Sequence, residues 1–380
     1  MQFSEELMMM RDLAREFAEN EIAPMAAEID ETSEFPMENL RKMGELGLLG
    51  IPFSEEYGGS GMNSLAFALA MEQFGAACGA TTLSVAAHVS LCSTPIYMFG
   101  TEAQKKKYLP DLLSGRKIGS FCLSEAASGS DAAAMVTRAE RDGDHYVLNG
   151  TKQWVTNGGY AGTFVVFAKT DPEKRGHGVS AFIVEKEMDG VVVGQKEDKM
   201  GLRASDTRQM SFENVRVPAE NLLGGENKGF AVALNTLDGG RIGIGAMSIG
   251  LARAAMEHAT RYAKERVAFG RAISEFQAIQ WYIADMATHI EASRLLVHQA
   301  ARLRDAGKPY GKEAAMAKLF ASEMAMKAAN KGVQILGGYG YSRDYPLERI
   351  FRDTKLMEIG EGTSEVQRIV IAKHILNEIA

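Results

Sequence analysis

The hydrophobic period of this chain changes twice, and that change restricts the fold more than any single motif. Over residues 1–118 apolar side chains recur every three or four positions. "EELMMMRDLAREFAENEIAP" puts Leu7, Met10, Leu13 and Phe17 on one helical face, and Pro24 is expected to end that helix. "TEAQKKKYLPDLLSG" opens with a threonine suited to cap a helix and an acid in its first turn. From 119 to 226 the apolar runs are short and rich in β-branched and aromatic residues. "HYVLNGTKQWVTNG", "TFVVFAKT", "VSAFIVE", "GVVVGQK" and "MSFENVRVP" are separated by turn signals, which predicts an antiparallel β-domain. From 227 to 380 helices return, now long and rich in Ala, Gly and Met, a composition that permits close packing in a bundle of about four helices. The predicted class is α+β, with an all-α domain at 1–118, a β-domain at 119–226 and a helical bundle at 227–380. Strands do not alternate with helices and no GxGxxG follows a strand, which disfavours a Rossmann site.

Composition removes several functions. The formal net charge of −7 offers no basic footprint for nucleic acid. Cys78, Cys92 and Cys122 form no CxxC pair and the seven histidines are scattered, so neither a disulfide framework nor a metal site is expected, and a reducing compartment fits. No apolar run approaches the roughly 18 residues of a membrane span. The N-terminus is rich in acids, so it reads as the first helix of the fold rather than a targeting peptide.

Five stretches could carry chemistry. In "FCLSEAASGSDAAAM" (121–135), Ser124, Ser128, Gly129, Ser130 and Asp131 offer hydroxyls and free N–H groups to a pyrophosphate or a heteroaromatic edge; the plain alternative is a capped loop. In "TKQWVTNGG" (151–159), Trp154 and Thr156 share a strand face and could stack on a flat ring and bond its edge; the alternative is a core tryptophan before an Asn-Gly turn. "LDGGR" (237–241) places two glycines inside a helical run, at roughly 1 kcal/mol each, as if something approached the backbone. Asp238 and Arg241 there share a helical face, or form only a surface ion pair. "ERVAFGRAISEFQ" (265–277) brings Arg266, Phe269 and Gln277 around a glycine turn, for phosphate recognition or as a simple helix connection. Last come "QILGGYGY" with Gln334, Gly337 and Gly338, and "IGEGTSEVQR" (359–368). Thr363 and Glu365 there read as the cap and first turn of the final helix. Glu361 precedes that cap and has no such explanation.

These stretches in this order, with "DKMGLRASDTR", "RVAFG" and "EGTSEVQR", resemble the acyl-CoA dehydrogenase family of flavoproteins over essentially the whole chain, closest to members acting on short-chain or short branched acyl groups. The resemblance implies a helical N-terminal domain, a middle β-domain and a C-terminal four-helix bundle in a homotetramer with non-covalent FAD. It implies that Phe121, Cys122, Leu123, Ser124, Gly129 and Ser130 line the flavin and its pyrophosphate. Trp154, Val155 and Thr156 would meet the ring system, Thr156 at the nitrogen that accepts hydride. Arg266, Phe269, Phe276, Gln277, Gln334, Gly337 and Gly338 would hold the adenosine half across a subunit interface, completed by Thr363 and Glu365. Acyl-CoA would meet Ser130, Asp238, Arg241, Gly360 and Gly362. Glu361 matches the base that removes the α-proton of the thioester. Its backbone N–H, with a flavin ribose hydroxyl, would stabilise the enolate oxygen while the β-hydrogen leaves as hydride, giving a trans-2-enoyl-CoA.

Some members of that family carry the base just before the arginine of "LDGGR"; here that position is Gly240, so Glu361 is the candidate. Ala126 and Ala127 stand where Pro-Gly is common. Gly360 stands where many straight-chain enzymes carry Tyr, and a pocket widened for a branched or cyclic acyl group is one consequence, refilling by neighbours the other. The segment "SVAAHVSLCSTPIYM" (84–98) is expected to help form the pocket floor, with His88 as a core or pocket-wall residue rather than a catalyst. The resemblance further implies an electron-transfer flavoprotein as acceptor, and a cytoplasmic site in a bacterium or the mitochondrial matrix for a processed eukaryotic form. An acyl-CoA oxidase, a decarboxylating glutaryl-type enzyme and a non-catalytic binding module on the same fold are the competing readings.

Overall fold

The computed structural model describes residues 3–379. Helix α1 (Glu5–Phe17) is capped by Ser4, whose hydroxyl accepts from Leu7 N, and its Leu7, Met10, Leu13 and Phe17 pack on the core as their spacing required. Pro24 does not stop the chain. A π turn (Ala18–Ile22) and a 3₁₀ turn (Ala23–Met25) pass it into α2 (Ala26–Thr32), which ends at Ser33 with φ +59°. Proline is tolerated there because it opens a new turn, where its missing N–H is no loss. After α3 (Met37–Glu45) come the buried α4 (Ser64–Ala77) and α5 (Gly79–Ala86). A second π segment (Ala87–Ser93) leads into α6 (Thr94–Phe99). Thr101 caps α7 (Glu102–Leu113) in a reciprocal box with Gln104.

The middle of the chain forms β1 (Ile118–Cys122), β2 (Arg138–Asp142), β3 (His145–Thr156), β4 (Ala161–Lys169), β5 (Val179–Glu185), β6 (Val191–Lys196), β7 (Thr207–Pro218) and β8 (Leu222–Leu223). The sheet runs β6-β7-β3-β2-β4-β5-β8. Its neighbours are antiparallel as expected, with two departures: β1 lies parallel to β4, and β2 touches β4 through one parallel pair. The chain reaches β4 from β1 only after the β2–β3 hairpin, and such an indirect connection allows parallel pairing. Strand β4 is buried on both faces. Val165 and Phe167 join the helical core while Phe164 and Val166 join the sheet interior, which explains its unbroken apolar run.

Helices α8 (Gly229–Glu265), α9 (Gln277–Asp305) and α10 (Gly311–Leu336) pack on one another, with α11 (Leu347–Lys355) and α12 (Ser364–Glu378) against α10. A short hairpin of β9 (Val267–Ala268) and β10 (Arg271–Ala272) joins α8 to α9. Helix α8 also lies along α4, so the two helical regions share one core.

Candidate active site

The final helix begins with a reversal that positions Glu361. Ile359 N and Gly360 N both donate to Leu356 O, at 2.9 and 2.8 Å. Glu361 (φ +53°) and Gly362 (φ +93°) are then both left-handed, and Thr363 caps α12 by accepting from Val366 N at 3.3 Å. A left-handed glutamate costs on the order of 1–2 kcal/mol and persists only where its surroundings fix it. Two buried side chains do so. Lys318 Nζ on α10 donates to Gly362 O at 2.7 Å, and Gln367 Nε2 on α12 donates to the same oxygen at 2.8 Å and to Glu361 O at 3.4 Å.

The Glu361 carboxylate turns inward against α8. Its Oε2 is shielded from solvent and has no hydrogen-bond partner among the described residues. A Cβ built on Gly240 would overlap that oxygen, and would lie 3.1 Å from Leu91 Cδ2. Position 240 is therefore a glycine because the carboxylate occupies the space, and the close approach read from "LDGGR" is made by Glu361 itself. Burial raises the Glu361 pKa to about 7, partly offset by the positive charges of Lys318 and Arg241. The Glu361 N–H donates to no acceptor among the described residues. On α8, Arg241 is 4% exposed and donates through Nη1 to Asp238, while its buried Nε has no partner among the described residues. This is a part-buried pair inside a continuous helix, with Arg241 buried and Asp238 half-buried, not a surface pair at a helix start. Neither glycine breaks α8.

Position 360 differs from 240. A Cβ there would meet only Leu356, at 3.6 Å or more, and its φ is not left-handed. The backbone there does not demand glycine, and a small side chain would find ordinary contact distances to Leu356. Position 362 does demand it, through its positive φ. The segment 84–98 is buried up to Ile96, and Leu91 and Ser90 face α8 at Gly240 and Gly243. His88 accepts from Gly119 N through Nδ1 and reaches Leu112 O through Nε2, and burial lowers its pKa to about 4. It is a neutral structural pin, as expected.

A second group forms an open lip on the sheet. Trp154 stands on a left-handed backbone (φ +62°) at a bulge between β3 and β7, with 58% of its surface exposed. It is not a core tryptophan. Thr156 is half-buried on the same face, and its carbonyl accepts from Ser120 Oγ. Asn157 is no mere turn residue; it is buried and donates to Ser84 O and Gly119 O at 3.0 and 3.2 Å. Gly129 and Ser130 are exposed, and Ser124 is half-buried with its carbonyl accepting from Gln153 N at 2.9 Å. Ser128 donates to Asp131 O rather than capping a helix. Phe121 is half-buried against Phe167, whereas Cys122 and Val155 point into the sheet interior, so any ligand contact of those two comes from main chain. The lip rests on a buried ion pair: Lys152 Nζ donates to Glu125 Oε1 at 2.8 Å and to Leu123 O at 3.1 Å. Glu125 also accepts from Val136 N and Thr137.

The remaining candidates gather at one end of the bundle. Arg266 and Gln277 are exposed, and Phe269 is 95% exposed on the β9–β10 hairpin, edge-on to Phe276. Tyr262 at the end of α8 lies tilted against Tyr339, which follows Gly337 and Gly338, and a Cβ on either glycine would meet nothing within 4 Å among the described residues. No hydrogen bond or ring contact among the described residues joins this group to Trp154 or Glu361. Glu365 is exposed in the first turn of α12, its carboxylate held below the usual range by backbone N–H bonding and Thr363.

Sequence reading missed Lys318, Gln367, Ser120 and the Glu125–Lys152 pair. Lys318 had a signal: it sits in the small-residue stripe Ala314, Ala317, Ala321 and Ala325 that α10 buries. The others become visible only through their tertiary partners.

Three family models cover the chain: the acyl-CoA dehydrogenase N-terminal domain over residues 4–116, the middle domain over 120–215 and the C-terminal domain over 227–376. The chain is 52% identical over 367 residues to "Acyl-CoA dehydrogenase, short-chain specific" of Clostridium acetobutylicum, covering 97% of each. It superposes on the butyryl-CoA dehydrogenase structure from Megasphaera elsdenii with a TM-score of 0.97 at 44% identity, over 99% of both chains. It superposes on a chain of the structure reported as the electron transferring flavoprotein of Acidaminococcus fermentans, concerned with flavin-based electron bifurcation, with a TM-score of 0.98 at 50% identity over 99% of both. With its three domains matched in order and a relative of this identity along nearly its whole length, the chain belongs to the acyl-CoA dehydrogenase family of FAD-dependent oxidoreductases.

Proposed function

We propose that this chain dehydrogenates short-chain acyl-CoA thioesters at the α,β carbons, with Glu361 as the base. The observation that carries the reading is the unpartnered, solvent-shielded Glu361 Oε2 facing Gly240, with a pKa raised to about 7. An α-hydrogen of a thioester is weakly acidic, so its removal needs a carboxylate of raised basicity close by. The α-proton passes to Glu361, and the idle Glu361 N–H is available to the oxygen on which charge develops. Arg241, through its free Nε, and Asp238 orient the thioester from α8, and Leu91 closes the floor against water.

The residues fit FAD. Trp154 offers an exposed flat face beside Thr156, and Gly129, Gly337 and Gly338 leave main chain open to a pyrophosphate or nucleotide. When bound, FAD supplies the two-electron acceptor for the β-hydrogen and its electron pair. Phe121, Leu123, Ser124 and Ser130 with the main chain of Cys122 and Val155 would hold the ring half. Arg266, Phe269, Phe276, Gln277 and Gln334 would hold the adenosine half of a neighbouring subunit's flavin, which is consistent with their separation from the lip and with a homotetramer. An electron-transfer flavoprotein is the acceptor we assign, supported by the likeness to the Acidaminococcus structure.

Substrate choice is assigned to Gly360, the residue before the base, where a Cβ would meet Leu356 no closer than 3.6 Å. Butyryl-CoA is the expected substrate, with 2-methylbutyryl-, isobutyryl- and alicyclic carboxyl-CoA tested beside it using an artificial electron acceptor. Activity confined to long straight chains would reject the short-chain assignment. A strict preference for unbranched butyryl-CoA would reject only the widening at Gly360. Full activity of Glu361→Gln would reject the base.

A further inference from the structure

We propose that Lys318 is a positioning residue for the base: a single buried ammonium both fastens the Glu361–Gly362 turn and sets a positive charge behind the Glu361 carboxylate. The proposal rests on Glu361 being that base. Lys318 is 0% exposed, yet among the described residues no carboxylate lies within 4 Å of its Nζ. Its bonded partner is the Gly362 carbonyl, at 2.7 Å. A neutral donor would serve if holding that carbonyl were the whole task, and one is already present: Gln367 Nε2 donates to the same oxygen at 2.8 Å. Burying an ammonium without an ion partner is costly, so its retention calls for a use of the charge.

The charged groups around the base define that use. Arg241 faces Glu361 from α8, but its guanidinium is paired with Asp238 on the same helix, itself near His374 of α12. From α10 comes Lys318. Glu358 precedes the turn and Glu365 follows it on α12, and Glu358 is paired with Lys355. Lys318 is thus the cation whose field reaches Glu361 without a paired carboxylate to cancel it. Desolvation favours the protonated acid, which cannot accept an α-proton, and the ammonium counters this by favouring the carboxylate. The buried side of the carboxylate stays apolar toward Gly240 and Leu91, because the charge enters from the main-chain side of the turn.

The test uses the FAD-loaded enzyme with butyryl-CoA and compares Lys318→Gln, Lys318→Arg and Glu361→Gln with the parent. Lys318→Gln keeps a donor for Gly362 O and removes the charge. Its acid limb in the pH profile of kcat/KM is expected to move up by about one pH unit, with a loss of about tenfold below the limb. Lys318→Arg, which keeps charge and donor, is expected to hold the limb in place. Independently of turnover, infrared difference titration of the Glu361 carboxyl band, with Glu361→Gln as the blank, is expected to show the same upward shift in Lys318→Gln. An unmoved limb and an unmoved carboxyl titration in Lys318→Gln would overturn the proposal. If that variant fails to bind flavin or to fold, Lys318→Arg decides: a limb displaced as far as one unit in a folded arginine variant overturns it, and an unmoved one supports it. An active Glu361→Gln would remove the base assignment itself, whereas an inactive Glu361→Gln beside an unmoved Lys318→Gln removes only the role of Lys318.

Discussion

The approach of Glu361 to α8 depends on position 240 carrying no side chain. Gly240→Ala would put a methyl group where Oε2 now lies, and nothing in a continuous helix can retreat to make room. The carboxylate would be driven off its position, and a displacement of about 1 Å at a reacting group costs roughly 100-fold in kcat. Gly239→Ala is the control, because its Cβ would meet the mobile end of Arg304 instead. Steady-state kinetics of the two variants check this, and equal losses would argue against a specific contact at 240. The same carboxylate gives a stability prediction. Its folded pKa, about 7, lies above the ordinary 4.5, so between those values the folded state holds a proton that the unfolded state has lost. Stability therefore falls as pH rises from about 4.5 to 7 and stays reduced above. Glu361→Gln removes that penalty. Relative to the parent it is expected to gain on the order of 1–3 kcal/mol at pH 8 and little near pH 4.5, read by thermal unfolding at both values.

Between residues and the whole chain, the lip that carries Trp154 depends on an ion pair buried beneath it. Lys152 is 0% exposed and Glu125 6%, and together they tie the 121–137 loop to β3. Lys152→Met would leave the Glu125 charge buried without its partner, at a cost of about 3–5 kcal/mol, whereas Lys152→Met with Glu125→Leu should recover part of it. Denaturant unfolding of the three proteins tests this, and equal single and double losses would show that the pair matters only for packing. This pair also marks what sequence could and could not reveal. Periodicity located α1, the Thr101 cap and the Thr363 cap, because those depend on residues three or four apart. It mistook Pro24 for an end, since a π turn absorbing a proline has no local signature. It expected only antiparallel pairing, since the direction of β1 against β4 is set by the route between them. Glu361 was legible as an acid that the cap left unexplained. Lys152, Gln367 and the occupant of the space at Gly240 were not, because a buried polar group makes sense only beside a partner distant in sequence.

At the scale of the whole molecule, one chain leaves the proposed cofactor residues in separate groups. Phe269 is 95% exposed, Val267 61%, Trp281 62% and Tyr341 88%, and the first of these belongs with Arg266 to the group assigned to the adenosine half. Apolar surface of this kind is costly to leave in water at about 25 cal/mol per Å², and covering it with a second copy would also deliver Arg266 and Gln334 to that copy's flavin. Assembly and cofactor retention should therefore fail together. Phe269→Asp places a charge at the contact without touching Glu361, Trp154 or the buried core. Sedimentation at micromolar concentration is expected to show a smaller species than the parent, and gel filtration should strip its flavin, seen as loss of the absorption near 450 nm, while the helical circular dichroism is kept. Raising the protein concentration should restore mass and bound flavin in parallel, since both draw on one association equilibrium. A Phe269→Asp protein that keeps the parental mass would show that this face is not an interface. One that dissociates yet retains a full complement of flavin would show that each chain completes its own cofactor site.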